Sequence, residues 1–581
     1  MSNERTINTS QSSDLITFTI LINGSAISET YQVKSIAVEK EVNRIPFAQL
    51  VFFDGSAASQ DFPLSNKDEL IPGNDIEIKA GYHNDEATIF KGLIIKQSLK
   101  IRENGAVLIV ECRDKAVATT LGRKSKYFYD NSDSTIIEEI LNDYNIEIDI
   151  AKTNYDHKEM VQYNASDWDF MITRAQANGY VCFVDDGKIT IDKPNLSEAP
   201  IQTIRYGDTL LSFDAEMDAR NQYNKITSYG WNPSDQEIVE NEARNPHLVV
   251  NGNISTSDLA KVFDVENLQL KQGGNYNTAV LQEWSDAKAV FQQLSKTRGN
   301  VKFQGIPEVK PGVILKLEGV GDRFNGSVFI SAIRHELVDG NWTINAEFGI
   351  NPQWFSETYD INENPASGLL PAVNGLQIGI VSQLESDPDG EDRILVQIPI
   401  INNEEQGIWT RVASLDAGEN RGAFFRPEIG DEVIVGFIND DPNHAVVLGM
   451  LNSSAKPAPI DATDDNHEKG FVTRSEMKLL FNDDKKSITI ETPAGKKITI
   501  DEEAGSIIIE DDNNNTLTLD SDGIIANSGK DVTLKAVGDV TIEGTNVTIN
   551  ANTQFKAEGI SGAEVSTSGI AVLKGSLVQI N

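Results

Sequence analysis

Residues 485–553 read KKSITIETPAGKKITIDEEAGSIIIEDDNNNTLTLDSDGIIANSGKDVTLKAVGDVTIEGTNVTINANT, one short phrase repeated. In each phrase two aliphatic side chains stand two residues apart: Ile488 and Ile490, Ile498 and Ile500, Leu517 and Leu519, Val532 and Leu534, Val540 and Ile542, Val547 and Ile549. That alternation is the period of a β-strand with one buried face. Gly, Asn, Asp and Lys fill the gaps, which is turn chemistry. A strand so short buries its apolar face only against neighbours on several sides. Stacked repeats supply two of them, and the third comes either from one chain winding around its own axis or from three chains sharing a core. Periodicity is compatible with both.

Outward from this stretch the chain divides into four parts. Residues 485–581 are the repeats, and 456–484 read as a polar linker. Residues 366–455 hold short strands in close succession (LQIGIVSQL, RILVQIPI, GIWTRVAS, DEVIVGFI, HAVVLGML) with Gly at the bends, the pattern of a small closed barrel of OB type. Residues 1–365 carry alternating runs such as LITFTILING, YQVKSIAVEKEV and AVLIVECRD, expected to form two β-rich barrels with helices inserted between strands.

Three helices are expected there. Ser134–Asn142 puts Ile136, Ile137, Ile140 and Leu141 on one side. In SDWDFMITRAQANG, Ser166 and Asp169 have capping-box spacing, Trp168 and Phe170 are core anchors, and Gly179 closes the end. A third runs from Thr278 to Gly299 and places Lys296 and Arg298 in its last turn. Asp185, Asp186 and Gly187 read as a hairpin turn rather than a metal loop, and the DPDGED loop, Asp387 to Asp392, as a turn rather than a calcium site.

Composition narrows the function. The 581 residues are 39% hydrophobic and carry 88 acidic against 50 basic side chains, a formal charge of -38. Such a surface repels phosphate backbones, so nucleic acid is not an expected partner. Cys112 and Cys182, in apolar strand contexts, are expected to be buried free thiols in a reducing cytoplasm. MSNERTINTSQSSDLITFTI has no basic then apolar leader, and no run of about 18 apolar residues occurs, so export without an N-terminal signal is expected.

Motifs for chemistry fail one by one. No GxSxG occurs, HELVD at His335 has Asp339 where a zinc helix needs a second histidine, and SGKD at Ser528 to Asp531 lacks the spacing and hydroxyl of a phosphate loop. Six scattered histidines and no CxxC give no metal set. No catalytic residue, metal ligand or cofactor is assigned.

The order of parts, with several stretches in detail, resembles a known family. RILVQIP, WTRVAS and RPEIGDEVIVGFINDDPNHAVVLGMLNS resemble the barrel of the valine-glycine repeat (VgrG) spike proteins of type VI secretion and their relatives in phage tails and extracellular injection particles. KDVTLKAVGDVTIEGTNVTINANT resembles that family's needle, and SDWDFMITRAQANGYVCFVDDG and RFNGSVFISAIRHEL resemble its hub.

The resemblance implies a mainly β homotrimer: two hub barrels with inserted helices, an OB barrel and an intertwined triple-stranded β-helix needle. The paired aliphatics named above, Ile488 through Ile549, would be its core. It implies further partners, namely a hexameric tube protein at the hub, baseplate proteins, effectors, and a small PAAR-type tip protein docked on Leu577, Val578 and Ile580. It also implies assembly in the bacterial cytoplasm followed by secretion or injection. No enzymatic activity is expected, because the linker is too short for an inserted lysozyme and no toxic extension is expected after the repeats. The other reading of the residues is a monomeric β-helix adhesin or polysaccharide-acting surface protein.

Overall fold

The computed structural model describes residues 15–103, 105–246, 248 and 251–580. The expected start of the first domain at residues 1–14, and with it the leader reading there, lies outside the described residues. The fold is mainly β and divides into two compact units, 1–372 and 373–581.

In the first unit the two expected barrels are two halves of one thirteen-stranded sheet. The join is the antiparallel pairing of Val33–Glu41 with Gly326–Val338, in which His335 stands opposite Val38. An unpaired strand edge exposes a row of main-chain donors and acceptors, so two half-sheets with free edges gain by sharing one. Each half keeps its own core. One is built on Ile36, Leu50, Phe52, Ile78, Phe90 and Val110, the other on Val301, Phe303, Leu315, Ile330 and Ile344.

The helices follow local sequence closely. Ser132 caps Asp133–Leu141 by accepting from the Thr135 amide, and Ile136, Ile137, Ile140 and Leu141 are buried. Ser166 caps Asp167–Ala177, its hydroxyl accepting from the Asp169 amide at 3.0 Å, and Gly179 follows in the left-handed region. Trp168 is buried, whereas Phe170 is half-buried and stacked on Phe128. The third helix stops short of the expected end. It spans Thr278–Ser295, and Arg298 and Gly299 belong to the strand Thr297–Gln304. The reason is tertiary: Lys296 is buried and donates to the carbonyls of Asn251 and Ile254, and the chain then joins the sheet beside Ser212–Met217.

In the second unit Gln377–Gln383, Ile394–Gln397, Ile408–Val412, Ala445–Met450 and Glu432–Phe437 close into a five-stranded barrel. Val381, Ile394, Val396, Val433, Val435 and Val447 fill it. Next comes an open seven-stranded antiparallel sheet, from Glu468–Val472 to Gly523–Asn527, each strand paired with the next in sequence. Two of its strands, Glu468–Val472 and Lys478–Asn482, lie in the stretch read from sequence as linker. The strands do not coil about the chain's own axis. Two to five residues separate consecutive strands from Lys478 onward, and connections this short make hairpins, because parallel stacking requires crossovers of a dozen or more residues.

Candidate functional site

The sheet of the second unit brings the repeated aliphatics onto one face in two continuous columns. Phe471, Leu479, Ile490, Ile498, Ile509, Leu517 and Ala526 stand opposite one another strand after strand. So do Phe481, Ile488, Ile500, Ile507, Leu519 and Ile524. Beyond Phe471, on which Phe425 stacks, this face stays open among the described residues: Ile488, Ile490, Ile498 and Ile500 are 37% to 48% exposed. The aliphatic pairs read from sequence through Leu519 are thus joined in one surface. Leu479, Phe481, Ile507, Ile509 and Ile524 extend it. SIIIED reads as one of the repeated phrases, but Ile508 between Ile507 and Ile509 leaves its buried pair undecided in sequence, and the cross-strand register is the signal that assigns it.

The reverse face has a different chemistry. Its middle column runs Leu480, Thr489, Thr499, Ile508, Thr518 and Ile525. Beside it Lys478, Glu491, Lys497 and Glu510 alternate in sign, with Lys478 and Glu491 3.5 Å apart and Lys497 and Glu510 also 3.5 Å apart. Opposite charges across strands fix which residue faces which, a distinction that a repetitive aliphatic pattern leaves degenerate.

Past Asn527 the chain changes character. Val532, Leu534, Val540, Ile542, Val547 and Ile549 lie in no strand and are 55% to 77% exposed. Among the described residues, the main-chain groups of 532–580 make no hydrogen bond to the main chain of their own copy. Leu577, Val578 and Ile580 are likewise exposed.

The other candidate residues have structural occupations. Asp186 and Gly187 both have positive φ in a tight hairpin between Val181–Asp185 and Lys188–Asp192. The carboxylates there meet cations of the chain itself: Asp185 pairs with buried Lys40 and, at 2.6 Å, with Lys310, while Asp186 lies 3.1 Å from Lys40. Burial pushes the Asp185 carboxyl up, yet the two lysines hold it net below its ordinary value. In the DPDGED loop the Arg393 guanidinium reaches both Asp387, at 2.6 Å, and Asp389, where a bound cation would otherwise sit. That pairing, with three main-chain donors, holds Asp387 well below the usual carboxylate range. His335 is buried in a strand and accepts from the Trp342 indole at 3.3 Å; burial, with the charge of Lys40 second, pushes it down to about 3. Cys112 and Cys182 are buried free thiols raised by that burial. Among the described residues no three His, Cys, Asp or Glu side chains gather as a metal set.

Comparison with known proteins agrees with this arrangement of parts. Residues 377–451, the closed barrel, match the type VI secretion system/phage-baseplate injector OB domain, and residues 12–339 match the Alg8 N-terminal domain. A stretch of 143 residues is 28% identical to the type VI secretion system spike protein VgrG1b of Pseudomonas aeruginosa, covering 22% of this chain and 19% of that protein. Another, of 117 residues, is 32% identical to the spike protein VgrG3 of Vibrio cholerae, covering 18% and 11%. The chain thus spans about a fifth or less of the length of these two relatives. Among solved structures, the E. coli c3393 protein, a component of the type VI secretion system, is 12% identical, with a TM-score of 0.38 over 74% of this chain and 99% of that one. The Francisella PdpA-VgrG complex, half-lidded, is 12% identical, with a TM-score of 0.37 over 88% of both chains. With more than half of its length matched by one family and its barrel by the second, the chain belongs to the Alg8 N-terminal domain family and continues into an injector OB domain, the build of a VgrG-type spike.

Proposed function

We propose that the chain is one of three identical copies forming the spike of a contractile injection machine, a structural part without enzymatic activity of its own. The observation that carries this is the pairing of an open two-column aliphatic face on residues 479–526 with a tract, 532–580, whose main chain, among the described residues, makes no hydrogen bond to the main chain of its own copy. Unpaired main-chain groups and exposed aliphatics are both costly to leave so. Three copies remove both costs. The sheets turn their aliphatic faces toward a common axis, and the extended tracts interleave as a three-stranded needle beyond them. Strands bonded across copies make a stiff rod, as a part driven through an envelope must be.

The remaining assignments rest on the family. The hub joins a hexameric tube protein and the baseplate, effectors ride on the assembly, and a PAAR-type tip protein covers the exposed Leu577, Val578 and Ile580. Assembly takes place in the bacterial cytoplasm, and the spike leaves by contraction rather than by a signal peptide. Sedimentation equilibrium of the full chain tests the reading: a species of three times 63.8 kDa is expected, and a stable monomer overturns it.

A further inference from the structure

We propose that a pocket in the first unit, between the helices Asp167–Ala177 and Thr278–Ser295, binds a compact organic cation, an ammonium head group, in an aromatic cage. The cavity is about 150 Å³, the size that accepts a benzene-sized guest.

Its floor is electrically closed. Asp133 is 3% exposed and accepts from the Arg174 Nε and Nη2 at 2.7 and 2.9 Å, from Asn178 at 2.8 Å and from His157 at 3.1 Å. Four donors saturate the carboxylate, and the guanidinium charge is cancelled where it lies. The floor is therefore rigid and does not oppose a positive guest.

The walls are Tyr155, Tyr276 and Trp284. Tyr155 stands edge-on to His157, ring centres 5.0 Å apart. Elsewhere the chain covers its aromatic faces with its own cations: Lys124 over Tyr144, Lys193 over Tyr180, Lys288 over Trp354 and Arg44 over Tyr359 are examples. Among the described residues, no cation lies over any of the three pocket rings, and neither Tyr276 nor Trp284 stacks on another ring. Three electron-rich rings border a space whose lining guanidinium is already neutralised.

Glu283 supplies the anion. Its side chain is 19% exposed, and the cation paired with it among the described residues is Arg244, at 3.8 Å, which is itself held closely by Asp286. A mostly buried carboxylate beside vacant aromatic faces selects a positive guest over a neutral one of equal shape. Free quaternary ammonium compounds and the lysine side chain of a partner protein share this chemistry.

Isothermal titration of the full chain with choline, with its neutral isostere 3,3-dimethylbutan-1-ol, and with N-acetyl-lysine N-methylamide tests the site. Choline is expected to bind at least about tenfold more tightly than the isostere, and Glu283→Gln to remove most of that preference. Trp284→Leu is expected to abolish binding, with Tyr276→Leu at the exposed rim as the substitute should the former not fold. Tighter binding of the lysine derivative than of choline assigns the site to a protein partner, and the reverse to a free methylated ammonium. Equal affinity for choline and its isostere, or binding of neither cation, overturns the proposal.

Discussion

Phe425, on the arm that follows the hairpin Ala417–Gly422 of the barrel, lies stacked on Phe471 in the first strand of the aliphatic sheet, ring centres 5.0 Å apart and planes 13° from parallel. Arg474 and Glu428 close the same joint at 2.6 Å. Sheet and barrel are thereby fastened at the head of an aliphatic column. Phe425→Ala is expected to weaken this joint by about 1 kcal/mol, seen as faster limited proteolysis within residues 452–467 while the barrel itself stays resistant.

Ile498 stands mid-column, opposite Ile490 and Ile509. Ile498→Asp places a carboxylate in what the proposed trimer would enclose, where an unpaired charge costs several kcal/mol per chain, about 3 or more. The expected outcome is sedimentation at 63.8 kDa. Thr499→Asp, one residue on and facing the other way, is expected to leave the proposed trimer intact.

Reversing one rung of the charge ladder gives a salt-dependent defect. Lys497→Glu sets a new carboxylate between Glu491 and Glu510, so that like charges face each other across three successive strands. A loss of about 1 kcal/mol per chain is expected at low ionic strength. Raising salt to about 1 M should recover most of the lost melting temperature.

The neutral His335 makes the first unit acid-sensitive. Its folded value is about 3 against an ordinary 6.5. Between those values the unfolded chain binds a proton that the folded chain does not, so stability falls as pH drops through that window. The loss is on the order of 4 kcal/mol by pH 3. His335→Gln keeps an acceptor for Trp342 and is expected to flatten the dependence of the urea midpoint on pH between 6.5 and 3, read by tryptophan fluorescence.

Gly305 is set by close approach rather than by turn geometry. A Cβ there would overlap the Trp342 ring, which is 2% exposed and packed against Tyr82 and His335. Gly305→Ala is expected to cost about 3 kcal/mol, measured as a shift of the same midpoint.

What the sequence discloses here tracks how local each feature is. Ser166 and its helix are readable because the cap, the apolar stripe and the closing Gly179 lie within fourteen residues. The barrel strands are readable for the same reason. The end of the long helix is not, since Lys296 leaves it for the carbonyls of Asn251 and Ile254. The continuous hub sheet is not either, because its central seam pairs Ala332 with Glu41 across nearly 300 residues. EKGFV and KLLFN do not carry the Thr-spaced phrase, and only their register with Ser487–Glu491 shows them as part of the sheet. Two segments far apart in the chain, one at Tyr155 and one from Tyr276 to Trp284, build the walls of the aromatic pocket, so no window of sequence displays it.

The tract from 532 to 580 has a consequence for the life of the molecule before assembly. A polypeptide with no folded grip on itself is what an energy-dependent protease engages and threads. In the proposed trimer, copies that have not met their companions are therefore expected to be the ones removed, while those wound together would offer no loose thread. The backbone that awaits its partners would then act as a timer on orphan subunits.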